Sequence, residues 1–357
     1  MSHTRRLAAL AAAATALLVS APSPATATPP ADDDGVVPYG STSLFQTQLP
    51  STAPVSPDQA FFASWIQANE PKDYWTMRVT RDQFSMNFAV GRCSDPLYKI
   101  VSTGSTQKGQ DHLKTVGVHI PTAMLSAIVQ NTDVPVIVQD RCGTSARPGG
   151  MSVFMANVLY DGTTTLKSGG DGVITGGAFD HRTNGLDSRV PGTNAAARVN
   201  TVSRGRIPDA TFVRDALLTK VASGQLAHPA AVPGTLGHVL QTFFVQSNTA
   251  AGFQKPMAGA ESAKLGCGGS EHLGLCAQGQ YIRIDPSIDL AARPGCTGHA
   301  LTVARTLQSY GAYIGDNSGS GSGIKGEAGT TLLTQASLDP CMNLADLRIL
   351  TKGYAPR

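Results

Sequence analysis

Three residues near the ends of predicted elements carry side chains that could do acid–base chemistry: His238, Tyr310 and Asp316. An imidazole can take a proton and a phenol can supply one, as β-elimination from a uronic acid requires. We therefore assign His238 as a base or orienting group, Tyr310 as a proton donor and Asp316 as an acid or sugar-hydroxyl acceptor. For His238 the alternative is a structural histidine bonded to a loop carbonyl, and for Asp316-Asn317 it is a turn.

A second set of polar residues could bind an acidic sugar: Asp180, His181, Arg182, Arg283 and Asn317. A guanidinium can neutralise a sugar carboxylate, and amide or carboxylate oxygens can accept hydrogen bonds from hydroxyls. Adjacent residues of a strand point to opposite faces, so a solvated loop explains the run at 180–182 equally well. Glu271-His272 lies between two nearby cysteines, which would make it rigid without giving it a function.

Several familiar sites have no motif in this sequence. The chain lacks a Gly-x-Ser-x-Gly elbow, a His-Glu-x-x-His helix, a phosphate-binding glycine loop, an EF-hand loop and any Cys-x-x-Cys pair. We therefore expect neither a metal nor a cofactor. Carboxylate pairs for glycoside hydrolysis can be drawn from Asp180, Glu271, Asp289 and Asp316, but sequence spacing does not give the separation that the mechanism needs.

The elements that must position these residues are clearest between 278 and 317. A β-rich run at 281–284 stops at Asp285-Pro286, because proline supplies no ladder donor. Apolar residues recur at helical spacing from 301 to 309 and end at Tyr310-Gly311. The extended run 312–314 then ends at a turn sequence, which predicts Asp316 and Asn317 at the end of a strand.

Elsewhere the chain reads mainly as short strands. Alternating apolar residues between 75 and 90 predict a hairpin, and further extended runs lie at 99–102, 115–120, 134–139 and 152–160. Helical periodicity is convincing only near 57–66, 123–130, 210–222 and 300–309. With 38 glycines and 15% charged residues, this pattern predicts an all-β fold, a jelly-roll-like β-sandwich with a few short peripheral helices.

The amino-terminal residues read as a targeting signal. Arg5 and Arg6 precede an apolar run at 7–19 that is too short to span a bilayer, and small residues end it at Ala27. We predict a signal peptide at 1–27, cleaved near Ala27, a flexible leader at 28–55 and one domain at 56–357 in a secreted, extracellular protein. The signal holds two of the 28 basic residues, which leaves 26 against 25 acidic ones. That balance gives no electrostatic argument for nucleic acid, and no later run predicts a membrane span.

Six cysteines follow the signal, and an even number in an exported chain favours disulfides. We predict three local pairs: Cys93–Cys142, Cys267–Cys276 and Cys296–Cys341. The count alone allows 15 connectivities.

Three stretches resemble an uncharacterised family of exported proteins that is common in actinobacteria. Its pattern is a Gly-x-x-x-His-Ala-Leu strand, a Gly-x-Arg-Leu-Arg-Leu-Asp-Pro strand end and an Ala-Leu-x-x-Tyr-Gly-x-x-Val-x-Asp-Asn segment. The matching residues are 237–240, 279–286 and 306–317, within a similarity that covers roughly 175–330. The resemblance implies a secreted β-sandwich that acts on or binds an extracellular polymer, and it supplies no established catalytic residues.

The sequence therefore predicts a secreted carbohydrate-active protein that cleaves an extracellular polysaccharide as a lyase or glycoside hydrolase. The alternative is a non-enzymatic carbohydrate-binding or cell-envelope protein. Aromatic residues are 6% of the chain, low for a dedicated sugar-binding module, which favours the enzyme slightly. An envelope structural protein or a secreted inhibitor also fits the composition.

Overall fold

The fold is built mainly from strands in mixed sheets, with few and short helices. The structure, a computed structural model, describes residues 43–70, 76–78, 85–101, 117–128, 135–142, 151–156, 158–160, 162, 165–168, 175–180, 188–189, 198–199, 211–244, 246–257, 260, 266–318 and 321–356. Its helices are α1 (Gln59–Asn69), α2 (Leu125–Ile128), α3 (Asp215–Ala222), α4 (Gly298–Ser309) and α5 (Gln335–Leu338). Each of the four predicted helices has a counterpart among these.

Sixteen strands are described. They are β1 (Thr76–Arg78), β2 (Asn87–Gly91), β3 (Leu97–Val101), β4 (Val118–His119), β5 (Val136–Asp140), β6 (Met151–Ala156), β7 (Val158–Tyr160), β8 (Thr165–Ser168), β9 (Thr175–Asp180), β10 (Ser188–Arg189), β11 (Arg198–Val199), β12 (Leu240–Phe244), β13 (Tyr281–Ile284), β14 (Ala312–Asn317), β15 (Gly323–Lys325) and β16 (Leu347–Ile349). The strand–helix–strand order predicted for 278–317 is confirmed by β13, α4 and β14.

The largest sheet has six strands in the order β1-β15-β12-β14-β13-β16. Its central pair, β12 and β14, runs parallel, with Leu240 opposite Ala312 and Phe243 opposite Asp316. Strands β1 and β15 are also parallel, and the other pairs are antiparallel. Helix α4 packs on β13, so it lies beside the strand that precedes it.

Two four-stranded sheets, ordered β2-β5-β6-β9 and β4-β3-β8-β7, complete the main architecture, and β10 pairs with β11. In the first of them the two middle strands, β5 and β6, are buried on both faces. Ile137 and Phe154 belong to the core of the six-stranded sheet, whereas Val138 and Val153 belong to a second apolar cluster. Because successive residues of a strand face opposite sides, β5 and β6 are fully buried along their length. The β-rich class is confirmed at this level, although parallel pairs within the sheets leave the jelly-roll arrangement unestablished.

Two local predictions need correction. The hairpin at 75–90 is wrong, because β1 joins the six-stranded sheet beside β15 and β2 pairs with β5 in another sheet. The leader at 28–55 is also too long at its carboxyl end. Phe45 and Leu49 are buried in the core, and the Phe45 carbonyl accepts a hydrogen bond of 2.7 Å from the Val239 amide. The packed chain therefore includes residues from Ser43 onward.

The three predicted disulfides, Cys93–Cys142, Cys267–Cys276 and Cys296–Cys341, are all confirmed. Among the described residues, no helix combines the length and apolar character needed to cross a membrane.

Candidate functional site

His238 and Tyr310 lie at the amino ends of the parallel strands β12 and β14, where both are buried. The imidazole Nδ1 of His238 lies 2.8 Å from the Val239 carbonyl oxygen. The phenol oxygen of Tyr310 accepts a 3.0 Å hydrogen bond from the Val232 amide. Burial raises the pKa of Tyr310 above its ordinary value. Both side chains thus contact the backbone, as the structural alternative for His238 anticipates.

Asp316 lies at the other end of the same strands, opposite Phe243. Five residues separate His238 from Phe243, which at about 3.3 Å per strand residue is roughly 16 Å. The Asp316 carboxylate accepts a hydrogen bond of 2.9 Å from the Asn317 amide. The structure therefore does not bring the predicted catalytic residues together in one centre.

The predicted substrate-binding residues are also dispersed. Arg283, on β13, donates to the carbonyl oxygens of Pro50 and Gln308 at 2.8 and 2.6 Å, and so ties the amino-terminal segment to α4. The Asn317 side-chain oxygen accepts from the amide and hydroxyl of Ser247 at 2.8 and 2.6 Å. Asp180 ends β9 opposite Met151, and His181 and Arg182 lie outside the described residues.

One face of the six-stranded sheet is unusually polar for an interior. Register places Gln241 and Phe243 of β12 beside Tyr313 and Asp316 of β14 on this face. The phenol oxygen of Tyr313 lies 3.3 Å from Gln241 Oε1, and the buried Lys325 ammonium lies 4.9 Å from the centre of the Phe243 ring. We call these five residues the polar face. Burying a charged group costs solvation free energy. Such groups therefore occur more often at functional sites than elsewhere in a protein interior.

The polar face continues past the end of β15 to Glu327. The segment Lys325–Glu327 runs beside Val213, whose amide donates to the Lys325 carbonyl at 3.0 Å and whose carbonyl accepts from the Glu327 amide at 2.8 Å. This pairing places Arg214, the residue after Val213, close to Glu327. Glu327 Oε2 accepts a 2.8 Å hydrogen bond from the amide of Asp215, the first residue of α3, where the helix dipole favours negative charge.

Arg214 and Glu327 line a small open cavity of about 200 Å³ between the six-stranded sheet and β2; the other lining residues are Phe88, Ala89, Val90 and Ala216. We call it the Arg214 cleft. The Arg214 side chain has an exposed fraction of 0%, and its guanidinium carbon lies 4.9 Å from the centre of the Phe88 ring. Glu327 is half-buried. A carboxylate and an aromatic ring thus share one concave surface, and a buried guanidinium lies against that ring.

These groups can recognise a polyhydroxylated ring. Carboxylate oxygens accept hydrogen bonds from hydroxyls, guanidinium groups donate to hydroxyls or bind carboxylates in pairs, and an aromatic ring packs against C–H groups. Sequence reasoning missed Arg214, Glu327 and Phe88. The available signal was a charged residue directly after the apolar pair Phe212-Val213, where burial would require a partner or a function.

No protein-family model matches the chain, and neither a curated protein nor a solved structure is detectably similar to it. The Arg214 cleft and the polar face therefore rest on their own geometry, as the best-supported candidate site among the described residues.

Proposed function

We propose that the protein is exported and binds an extracellular polysaccharide in the Arg214 cleft. The observation that carries this proposal is the cavity that Glu327 and Phe88 line, with the fully buried guanidinium of Arg214 held against the Phe88 ring. Such a site presents a rigid polar group beside an aromatic surface, which suits a sugar residue better than an apolar ligand.

The extracellular location predicted for the protein supports a polymer outside the cell as its ligand. The targeting signal that the sequence predicts at 1–27 and the three disulfides fit an oxidising, extracellular location. The resemblance to exported actinobacterial β-sandwich proteins agrees with it. We extend the proposal to the fold: a jelly-roll-like sandwich, supported by the predominance of strands in several sheets over few and short helices.

Cleavage of the polysaccharide is the second candidate function, and the carboxylate of Glu327 beside Arg214 favours it. Glu327 is the only carboxylate among the described residues that line the cleft, whereas glycoside hydrolysis ordinarily uses two. A lyase reaction fits better. Glu327 would remove the proton next to the uronate carboxylate, and the leaving sugar oxygen would depart with its bonding electrons as the ring double bond forms and take a proton from water.

The test is incubation of the purified mature protein with neutral and acidic polysaccharides, including arabinogalactan and polygalacturonate. Retardation in polysaccharide-containing native gels measures binding, and reducing ends with ultraviolet absorbance measure cleavage. We expect retardation by at least one polymer. New absorbance together with reducing ends would support the lyase, reducing ends alone would indicate hydrolysis, and absence of any retardation or product would overturn the proposal.

A further inference from the structure

A second cluster of chemically suitable side chains lies on the surface, at the start of α1 and away from the polar face. The rings of Phe61 and His272 stack with their centres 4.0 Å apart and their planes 27° apart. His272 Nδ1 lies 3.0 Å from Asp58 Oδ1. We call these three residues the Phe61 cluster. It is distinct from the core because α1 buries a different set of residues, Phe62 and Ile66, against the sheet.

Asp58 occupies the N-cap position of α1, where an aspartate ordinarily accepts a hydrogen bond from an amide of the first turn. Its side chain makes no capping bond here and is directed to His272 instead. This contact fixes the orientation of the imidazole: a carboxylate only accepts, so Nδ1 donates to Asp58, and in a neutral imidazole Nε2 is then the acceptor. The second carboxylate oxygen lies beside Gly274, where an added Cβ would be in van der Waals contact with it at 3.8 Å.

The segment that carries His272 is held in place. It lies within the loop closed by Cys267–Cys276, and the His272 amide donates to the Gly268 carbonyl at 2.8 Å. From the same loop, the carbonyl of Leu273 accepts from the Lys352 ammonium at 3.4 Å. The cluster is therefore preorganised, which lowers the entropy lost when a ligand binds.

Apolar surface surrounds these acceptors. Phe61 remains 36% exposed even though it stacks on His272, and Leu273 is 48% exposed. Asp58 and His272 side chains are 34% and 27% exposed, so a ligand can reach them. Two hydrogen-bond acceptors beside an exposed aromatic ring match a sugar, whose hydroxyls donate and whose C–H face packs on the ring.

We propose that the Phe61 cluster is a second, surface binding site for a neutral sugar residue of a polysaccharide. The choice of ligand class rests on the proposed function, whereas the site itself is separate from the Arg214 cleft. A neutral sugar is favoured over a uronate, because the polar group directly beside the Phe61–His272 stack is the Asp58 carboxylate, which repels an anion, whereas the Lys352 ammonium is bonded to the Leu273 carbonyl.

The test uses the mature protein in native gels that contain neutral arabinogalactan or xylan, or polygalacturonate. Phe61→Ala removes the stacking surface and His272→Gln removes the imidazole. Phe253→Ala is the matched control, because Phe253 is 51% exposed in another loop. We expect Phe61→Ala and His272→Gln to weaken binding to a neutral polymer by at least about fivefold, with thermal midpoints close to wild type and the control unchanged.

The outcomes separate this proposal from the preceding one. If the wild type binds a polymer and Glu327→Gln weakens binding while both cluster variants bind normally, the second site is wrong and the cleft stands. If the cluster variants lose binding and Glu327→Gln does not, the second site is supported and the cleft is wrong. If the wild type binds none of these polymers, both proposals fail.

Discussion

Two regions of the six-stranded sheet have opposite characters. At the amino ends of the parallel strands β12 and β14, His238 and Tyr310 are buried and contact backbone carbonyl and amide groups. On the neighbouring strand β15, which runs antiparallel to β12, and just beyond it, Lys325 and Arg214 are charged groups held next to aromatic rings, and Glu327 lines a cleft. Titratable residues at an element end are thus not sufficient evidence of a site. An adjoining cavity distinguishes the region that can bind a ligand.

We expect the largest loss of stability from removing the Tyr310 ring. This variant tests whether Tyr310, at the amino end of β14, has a structural role. We expect Tyr310→Ala to lower the free energy of unfolding by about 3–5 kcal/mol, the usual loss for deleting a buried aromatic ring. Tyr310→Phe loses the hydrogen bonds of the hydroxyl with the Val232 amide and with Thr235 and should cost about 1 kcal/mol. Chemical denaturation measures both. A Tyr310→Phe variant of normal stability that had lost polysaccharide cleavage would restore the proton-donor assignment.

Gly311, next to Tyr310, tests the same end through the backbone. Its φ is 72°, and an added Cβ would lie 2.7 Å from Leu49 Cδ1 and 2.9 Å from the Ile282 carbonyl oxygen. We expect Gly311→Ala to destabilise by about 2–4 kcal/mol, from overpacking plus the left-handed conformation. Gly353→Ala is the matched control, since its φ is 86° with nothing within 4 Å, and should cost about 1 kcal/mol. Equal losses in thermal midpoint would show that the close packing at Gly311 contributes little.

Glu327→Gln sharpens the other side of the comparison. The glutamine amide keeps the shape and one acceptor oxygen but removes the negative charge. A sugar hydroxyl therefore loses a charged hydrogen-bond acceptor, and the cleft loses the group that could remove a proton. We expect polysaccharide affinity to fall about tenfold, equivalent to about 1.4 kcal/mol, with little change in unfolding. Titration in native gels measures the affinity. Unchanged binding and cleavage in this variant would remove the cleft from consideration.

Glu70 gives the smallest effect, and a pH dependence. Glu70 is the C-cap residue of α1, with its backbone N–H bonded to the Ile66 carbonyl, and its carboxylate accepts from the Ser322 amide, close to the start of β15. Desolvation raises the pKa of Glu70 above its ordinary value of 4.5. Because the folded state then binds the proton more tightly than the unfolded chain, this group's contribution is present below pH 4.5 and is lost as pH rises through the raised pKa.

Just above pH 4.5, the free energy of unfolding should fall less steeply with rising pH in Glu70→Gln than in the wild type. Unfolding midpoints measured between pH 4 and 7 in wild type and Glu70→Gln test this, and parallel curves would contradict it.

Local signals made much of the fold predictable. Helix α4 and the flanking strands β13 and β14 follow from periodicity and from the breaks at Pro286 and Gly311. The disulfides followed from proximity in sequence. The supposed hairpin failed because β1 finds its partner in β15, far along the chain, and no local pattern reports such a pairing.

The candidate site was predictable only in part, for the same reason. The end of β14 was correctly expected to carry Asp316 and Asn317. The Arg214 cleft depends on contacts between remote segments, with Val213 bridged to Gly326 and Met86 to Glu327. Side chains on three such segments converge only when the sheets have formed, so their separate positions in the sequence carry no sign of a shared cavity.

The most direct test of polysaccharide binding in the Arg214 cleft is a crystal structure of the mature protein with a bound fragment of whichever polymer retards it in native gels. We predict electron density for a sugar in the cavity, with hydroxyls within hydrogen-bonding distance of Glu327 and the ring beside Phe88. Density for the sugar beside His238 and Tyr310, with the cleft empty, would contradict it.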